Sequence, residues 1–182
     1  RRHDFPVEPA SDTILDLLQK ASVPTCGIGK IGDLFATRGL DQCLPTRDNS
    51  EGMQILHNVL MQQKNGLIFV NLVDFDMLYG HRLDPQGFAT ALQEFDQLLP
   101  RLFHQLSVDD LLLIVADHGC DPTTPGTDHC REYVPLLARS QRSEKGRSLG
   151  TRKSFADISA TLAEIFSIDD VSGKSFLPIL KS

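Results

Sequence analysis

The stretch that indicates the fold is LLLIVADHGCDPTTPGTDH, residues 111–129. It opens with an unbroken aliphatic run, which is typical of a strand in a parallel sheet that is covered on both faces. The chain then passes directly into Asp117 and His118, and a second Asp-His pair follows at Asp128 and His129. A turn requires glycine, proline and aspartate, but it does not require two histidines. The segment therefore predicts a buried strand that ends in a cluster of potential ligands.

The rest of the chain alternates predicted strands with predicted helices. Further apolar runs predict strands at residues 23–29, 67–73 and 133–138. Apolar residues that recur every three or four positions predict helices after an N-cap at Ser11 and around residues 53–60, 88–106 and 155–165. This alternation indicates an α/β fold, a three-layer sandwich with a mostly parallel central sheet. Sheets of this kind carry their ligand sites at the carboxyl ends of the strands.

Length, charge and cysteine usage limit the kinds of function. At 182 residues the chain is long enough for one sizeable core or for part of a larger domain. Its net charge of -6, without a basic stripe, argues against nucleic acid or a membrane as partner and favours small molecules or proteins. No apolar stretch approaches the roughly 20 residues of a membrane helix, and no signal-peptide pattern opens the chain. The cysteines form no C-x-x-C pair, so a reduced, cytoplasmic location is expected.

A second cluster of potential ligands follows the predicted strand at residues 67–73. It contains Asp74, Asp76 and His81 within the sequence VDFDMLYGH. Carboxylates and imidazoles together suit Zn²⁺ or Mn²⁺, and two clusters predict two ions about 3.5 to 4 Å apart, an arrangement used for displacement at phosphorus. The alternative is that both segments are polar loops, in which Asp74 caps a helix or binds backbone amides.

Other reactive side chains give weaker signals. Cys120 and Cys130 flank the ligand-rich loop and are interpreted as bystanders rather than thiolate ligands, because hard metal ions prefer oxygen and nitrogen. Thr123 and Thr124 lie in a proline-rich turn, where threonine is common without being a nucleophile. The remaining histidines have no neighbouring ligands in sequence, and solvated or structural roles are predicted for His3, His57 and His104.

At these residues the chain resembles the phosphopentomutase family, a member of the alkaline phosphatase superfamily. The similarity is carried by NLVDFDMLYGHR, residues 71–82, and by ADHGCDPTTPGTDHCREYVPLL, residues 116–137. Residues 27–39 and 150–166 agree in the same register. The Asp-His elements alone fit the whole superfamily, whereas the long runs DFDMLYGHR and PGTDHxREYVPLL are typical of phosphopentomutases.

The resemblance implies an isomerase with an alkaline-phosphatase-like core. Such an enzyme exchanges ribose or deoxyribose 1-phosphate with the 5-phosphate through a phosphothreonine, and a sugar bisphosphate activates it. The site holds two Mn²⁺ ions. Carried onto matching positions, Asp76, His81 and His129 hold one metal, and Asp117 and His118 hold the other.

The resemblance also implies which parts of such an enzyme this sequence contains. Lys30 is a plausible contact for a substrate phosphate, and Arg1 or Arg2 is a weaker candidate. The nucleophilic threonine, a further metal-binding aspartate and a mobile cap domain lie upstream in the family. Residues 1–182 are therefore expected to be the carboxyl-terminal part of the catalytic core, inactive alone. A related metal-dependent phosphatase, a phosphoglycerate mutase and a non-catalytic metal-binding fragment remain alternatives.

Overall fold

The computed structural model describes residues 7–142 and 146–181, so Arg1, Arg2 and His3 lie outside the described residues. In chain order the elements are α1 (Ile14–Lys20), β1 (Thr25–Ile28), α2 (Ile31–Leu34), β2 (Gln42–Leu44), α3 (Asn49–Gln62), β3 (Leu67–Val70), a π-helix (Phe75–Gly80), α4 (Pro85–Gln105), β4 (Leu111–Val115), β5 (Leu136–Ser140), α5 (Ala156–Ile165) and α6 (Leu177–Lys181). These elements form two compact units, and the α/β class predicted from the sequence is confirmed.

The first unit contains the parallel sheet. Its described residues are 7–47, 62–71 and 146–181, and its strands lie in the order β2-β1-β3 with every pairing parallel. The central strand β1 is buried along its whole length, whereas the edge strand β3 is only half-buried. The core around β1 is formed by aliphatic and aromatic side chains with almost no exposed surface: Leu15, Leu18, Ile28, Ile31 and Phe176.

The N-cap of helix α1 lies two residues later than the predicted cap at Ser11. Thr13 is the N-cap: its hydroxyl accepts from the amide of Asp16, and its own amide donates to the Asp16 carboxylate at 2.7 Å. This reciprocal pair is a capping box, which needs an acidic or amide side chain three residues after the cap. Asp16 meets that requirement for Thr13 and not for Ser11, so the helix begins at Ile14.

The second unit comprises residues 48–61 and 72–142. It contains α3 up to Met61, the π-helix, the long helix α4, and β4 paired with β5. The β4–β5 pairing is antiparallel, which differs from the parallel pairing expected for this strand, and β4 is half-buried rather than buried on both faces. The strand predicted at residues 133–138 begins only at Leu136, because Pro135 has no amide hydrogen to donate to a ladder. Among the described residues, no helix is both long and apolar enough to cross a membrane.

Candidate metal centre

Three of the predicted ligands converge on one point of the second unit. Asp76 lies in the π-helix and His81 caps its carboxyl end, while His129 lies in the loop after β4. The two carboxylate oxygens of Asp76 face the Nε2 atoms of His81 at 3.2 Å and of His129 at 3.3 Å. One ligand atom from each residue lies within 4.8 Å of the others, although 53 positions of sequence separate Asp76 from His129. Two imidazole nitrogens and one carboxylate are thus close enough together to bind a single metal ion.

The π-helix at Phe75–Gly80 explains how Asp76 and His81 come together. Residues five positions apart point to different sides of an α-helix, but a π-helix joins residue i to residue i+5. The backbone amide of His81 donates to the carbonyl of Asp76 at 3.0 Å, which is this wider hydrogen bond. The two side chains are therefore stacked on successive turns. The sequence indicated Asp76 and His81 as candidate ligands but gave no sign of this helix, which is of a kind often found at functional sites.

A backbone carbonyl fixes the tautomer of His81. Nδ1 of His81 donates a hydrogen bond to the carbonyl oxygen of Thr127. Because a carbonyl only accepts, Nδ1 carries the proton and the lone pair of Nε2 is left facing Asp76. Metal-binding histidines are usually oriented in this way by a second contact. The same bond also joins the π-helix to the loop that carries His129.

The other two predicted ligands lie immediately beside this group. The ring of His118 stacks on that of His129 with centroids 3.5 Å apart and planes 16° apart. His118 donates from Nδ1 to the carbonyl of Gly119 at 3.2 Å, so its Nε2 is left facing Asp117, 3.6 Å away. The stacked rings therefore place His118 next to the Asp76 group through its contact with His129.

Asp74 and Asp121 have structural partners instead. The Asp74 carboxylate accepts from the amide of Asn49 at 2.8 Å, and the Asn49 side chain accepts from the amide of Asp74 at 3.0 Å. Asp74 thus binds a backbone amide at the start of α3, as the structural alternative predicted. Asp121 accepts hydrogen bonds from Thr123 and Thr124, which lower the pKa of its carboxyl and hold both threonine hydroxyls in a turn.

Cys120 contacts the centre, which its sequence position did not reveal. Its Sγ lies 3.9 Å from an Asp76 oxygen and packs against Gly80. Burial raises the pKa of the Cys120 thiol, and the neighbouring Asp76 carboxylate raises it further. The neutral thiol is a poor metal ligand, which supports its interpretation as a bystander. Cys130 forms an isolated backbone bridge with Gly119.

Lys30 belongs to the first unit. It lies two residues after the end of β1 and is the N-cap residue of the short helix α2. The preceding Gly29 has a φ of +79°, and a β-carbon there would lie 2.3 Å from the carbonyl oxygen of Asn71. Glycine therefore fixes the turn that presents Lys30 at the carboxyl end of β1, the edge where such sheets bind ligands.

Comparisons with known proteins agree with the motifs. A profile described as the Metalloenzyme superfamily matches residues 37–170. Curated phosphopentomutases from Dictyoglomus turgidum and Caldanaerobacter subterraneus are 52% and 50% identical over 178 and 177 residues, covering 97% of this chain and 45% of each relative. The chain thus spans less than half the length of the curated relatives it matches, and the predicted resemblance is confirmed.

A solved structure shares the fold. The chain aligns with a protein from Pyrococcus horikoshii with a TM-score of 0.56 and 13% identity, over 86% of this chain and 52% of the other. At that identity the likeness concerns the fold alone. It supports the α/β fold that was expected from the sequence.

Proposed function

The chain belongs to the Metalloenzyme superfamily, and on that premise we propose that it is the metal-binding part of a phosphopentomutase. Membership in this superfamily implies dependence on a divalent metal. The intact protein then acts as an isomerase that interconverts ribose or deoxyribose 1-phosphate and the corresponding 5-phosphate. The observation that carries the proposal is the group of Asp76, His81 and His129, whose ligand atoms lie within 4.8 Å of one another.

The donor set fits Mn²⁺, with Zn²⁺ as the alternative. Asp76, His81 and His129 would hold one ion through one carboxylate and two imidazoles, with positions left for water or phosphate. Asp117 and His118 would contribute to a second ion and need further ligands to complete it. When bound, such ions neutralise the charge on a transferring phosphoryl group and activate the attacking oxygen.

The individual residues have separate tasks in this proposal. The carbonyl of Thr127 keeps the proton of His81 on Nδ1, so that Nε2 stays available as a ligand. Lys30 would bind an oxygen of the substrate phosphate with its ammonium group. The nucleophilic threonine, a further metal-binding aspartate and the cap that covers the sugar belong to sequence outside residues 1–182. In this proposal, residues 1–182 are the carboxyl-terminal part of the catalytic core.

The proposal extends to the partners and location of the intact protein. Its substrates are pentose phosphates, and a sugar bisphosphate activates it by supplying the phosphoryl group of the phosphothreonine. The net charge of -6 is unsuited to nucleic acid or anionic membranes as partners. The use of free, unpaired cysteines suits the reducing cytoplasm.

Metal titration of the stripped chain tests the site directly. We expect calorimetry with Mn²⁺ or Zn²⁺ to give about one ion per molecule, because within residues 7–142 and 146–181 only the Asp76 group offers three protein ligands. His81→Ala should abolish this binding, whereas His104→Ala, which removes an exposed histidine of α4, should leave it unchanged. Two equally tight sites, or equal loss in both variants, would contradict the assignment.

An activity assay tests the reaction. A full-length protein that contains this chain should convert ribose 1-phosphate to ribose 5-phosphate. Residues 1–182 alone should not, since the proposed nucleophile is not among them. A substrate panel that includes phosphoglycerate and simple phosphate monoesters separates the mutase from its alternatives. Turnover of ribose 1-phosphate by the chain alone would overturn the placement of the nucleophile.

A further inference from the structure

The second unit carries few positive charges for its size. Its carboxylates outnumber its lysines and arginines by more than two to one, and all of these permanently charged cations are arginines: Arg82, Arg101, Arg131, Arg139 and Arg142. In such acidic surroundings a guanidinium group readily finds a partner. An arginine of this unit that has no such partner is therefore a candidate for binding an external anion.

Two of the five arginines bind a polar group. An Nη atom of Arg101 lies 2.6 Å from Nε2 of His57. Arg142 forms an ion pair with Asp109. Each is thus committed to a contact within its own unit.

A third arginine stacks on an aromatic ring. The guanidinium carbon of Arg139 lies 4.2 Å from the ring centre of Phe103, a cation–π contact. The stacking holds this guanidinium against the protein. Arg82 and Arg131 are the two that remain.

Arg82 and Arg131 are both exposed and both adjoin the metal centre in sequence. Arg82 directly follows His81, and Arg131 lies two residues after His129. Within the described residues neither makes a hydrogen bond or an ion pair, although the same unit contains 13 carboxylates. The two unpartnered cations of this unit therefore both adjoin a proposed metal ligand.

We propose that Arg82 and Arg131 recruit the phosphate dianion of the incoming sugar phosphate to the metal centre. This inference rests on the proposed function. The excess of carboxylates in the unit repels a dianion, so an approaching phosphate needs local positive charge beside the site. Arginine suits this role because its planar fork donates two parallel hydrogen bonds to phosphate oxygens. The two residues are positioning groups, distinct from the metal ligands themselves.

Phosphate titration of the full chain tests the pair. Inorganic phosphate is the probe, and calorimetry compares the wild type with Arg82→Gln, Arg131→Gln and the double variant, with and without Mn²⁺. We expect each single variant to bind phosphate about fivefold more weakly and the double variant more than about tenfold, since partly exposed charge pairs are screened by solvent. Arg142→Gln is the matched control, because Arg142 is exposed and already paired with Asp109.

Further readouts separate recruitment from structural damage. Metal stoichiometry should be the same in all variants, and the phosphate affinity of the wild type should fall more steeply with added NaCl than that of the double variant. Unchanged affinity in the double variant, an equal loss in Arg142→Gln, or no phosphate binding by the wild type in either metal state would overturn the inference. Failure to bind metal would instead contradict the proposed function, and the metal-free titrations would still test the arginines.

Discussion

Gly80 and Cys120 pack so closely that Gly80 has no space for a side chain. A β-carbon at Gly80 would lie 2.1 Å from Sγ of Cys120. Gly80 ends the π-helix that carries Asp76, and Cys120 lies two residues after His118. This contact therefore sets the distance between the two segments that carry the proposed ligands.

Gly80→Ala should displace one of these segments. We expect it to lower the free energy of unfolding by about 1 to 3 kcal/mol, the usual effect of forcing an extra carbon into a packed contact, and to weaken Mn²⁺ binding. Adding Cys120→Ala to Gly80→Ala removes the clashing sulfur. The double variant should regain most of the lost unfolding free energy and most of the lost Mn²⁺ affinity. Urea unfolding and metal titration of the two single variants and the double variant provide the measurement. A double variant no better than Gly80→Ala would contradict this steric account.

Asp74→Ala should affect stability and not metal binding. The substitution removes the acceptor for the amide of Asn49 at the start of α3, so we expect a loss of about 1 kcal/mol in unfolding free energy. Asp74→Asn keeps an acceptor oxygen and should lose less. Chemical denaturation measures the stability and calorimetry measures the metal. If Asp74→Ala lost its bound ion, Asp74 would have to be counted among the ligands.

His129→Ala should abolish most activity of a full-length parent and leave the fold intact. The side chain is 46% exposed, so little packing is lost, whereas a proposed ligand of the catalytic ion is removed. We expect the rate to fall more than a hundredfold, about 3 kcal/mol of transition-state stabilisation. A coupled assay of 5-phosphate formation measures the rate and circular dichroism monitors the fold. The assignment fails if near-normal activity persists with metal bound; His104→Ala is the control.

Asp16 should make the stability of the first unit depend on pH. Burial raises the pKa of Asp16, but hydrogen bonds from Thr13 and the contact with Arg38 together outweigh it, so the pKa lies below its ordinary value. A lowered pKa means that the carboxylate stabilises the fold above its ordinary pKa and that this contribution disappears as the pH falls through the lowered value. Asp16→Asn should destabilise the chain by about 1 kcal/mol at pH 7.

The same comparison at acidic pH provides the check. The wild-type carboxylate becomes protonated at acidic pH. The difference in unfolding free energy between the wild type and Asp16→Asn should therefore shrink on acidification. Denaturant unfolding at several pH values measures it. A difference that stayed constant down to strongly acidic pH would contradict the role of the charge.

The sequence predicted the α/β class, and it indicated which side chains are candidate ligands, because both leave periodic or compositional signals. Apolar runs and the three-to-four-residue spacing of helices can be read directly from the order of residues. Asp-His pairs that follow predicted strands are unusual enough to be noticed. The π-helix was not predictable, since the change from i→i+4 to i→i+5 hydrogen bonds leaves no signal in the composition of FDMLYG. The antiparallel pairing of β4 with β5 was missed because an aliphatic run does not specify strand direction.

Contacts to the backbone were also invisible in the sequence. The bond from His81 to Thr127 uses a carbonyl oxygen, which every residue possesses, so the identity of Thr127 gives no indication of it. The contact between Gly80 and Cys120 depends on two segments meeting in space. Such details of the site become apparent only with the fold.

The exclusive use of arginine in the second unit has a practical consequence. Every lysine of the chain lies in the first unit, so reagents that acylate primary amines leave the segments carrying the proposed metal ligands chemically untouched. The chain can therefore be biotinylated or attached to an amine-coupling sensor surface without altering those ligands. Lys30 is one of the amines at risk. If acylation reduced phosphate binding while metal uptake persisted, the loss would point to a lysine of the first unit, Lys30 being the candidate, because neither Arg82 nor Arg131 reacts with such reagents; Lys30→Gln would then identify it.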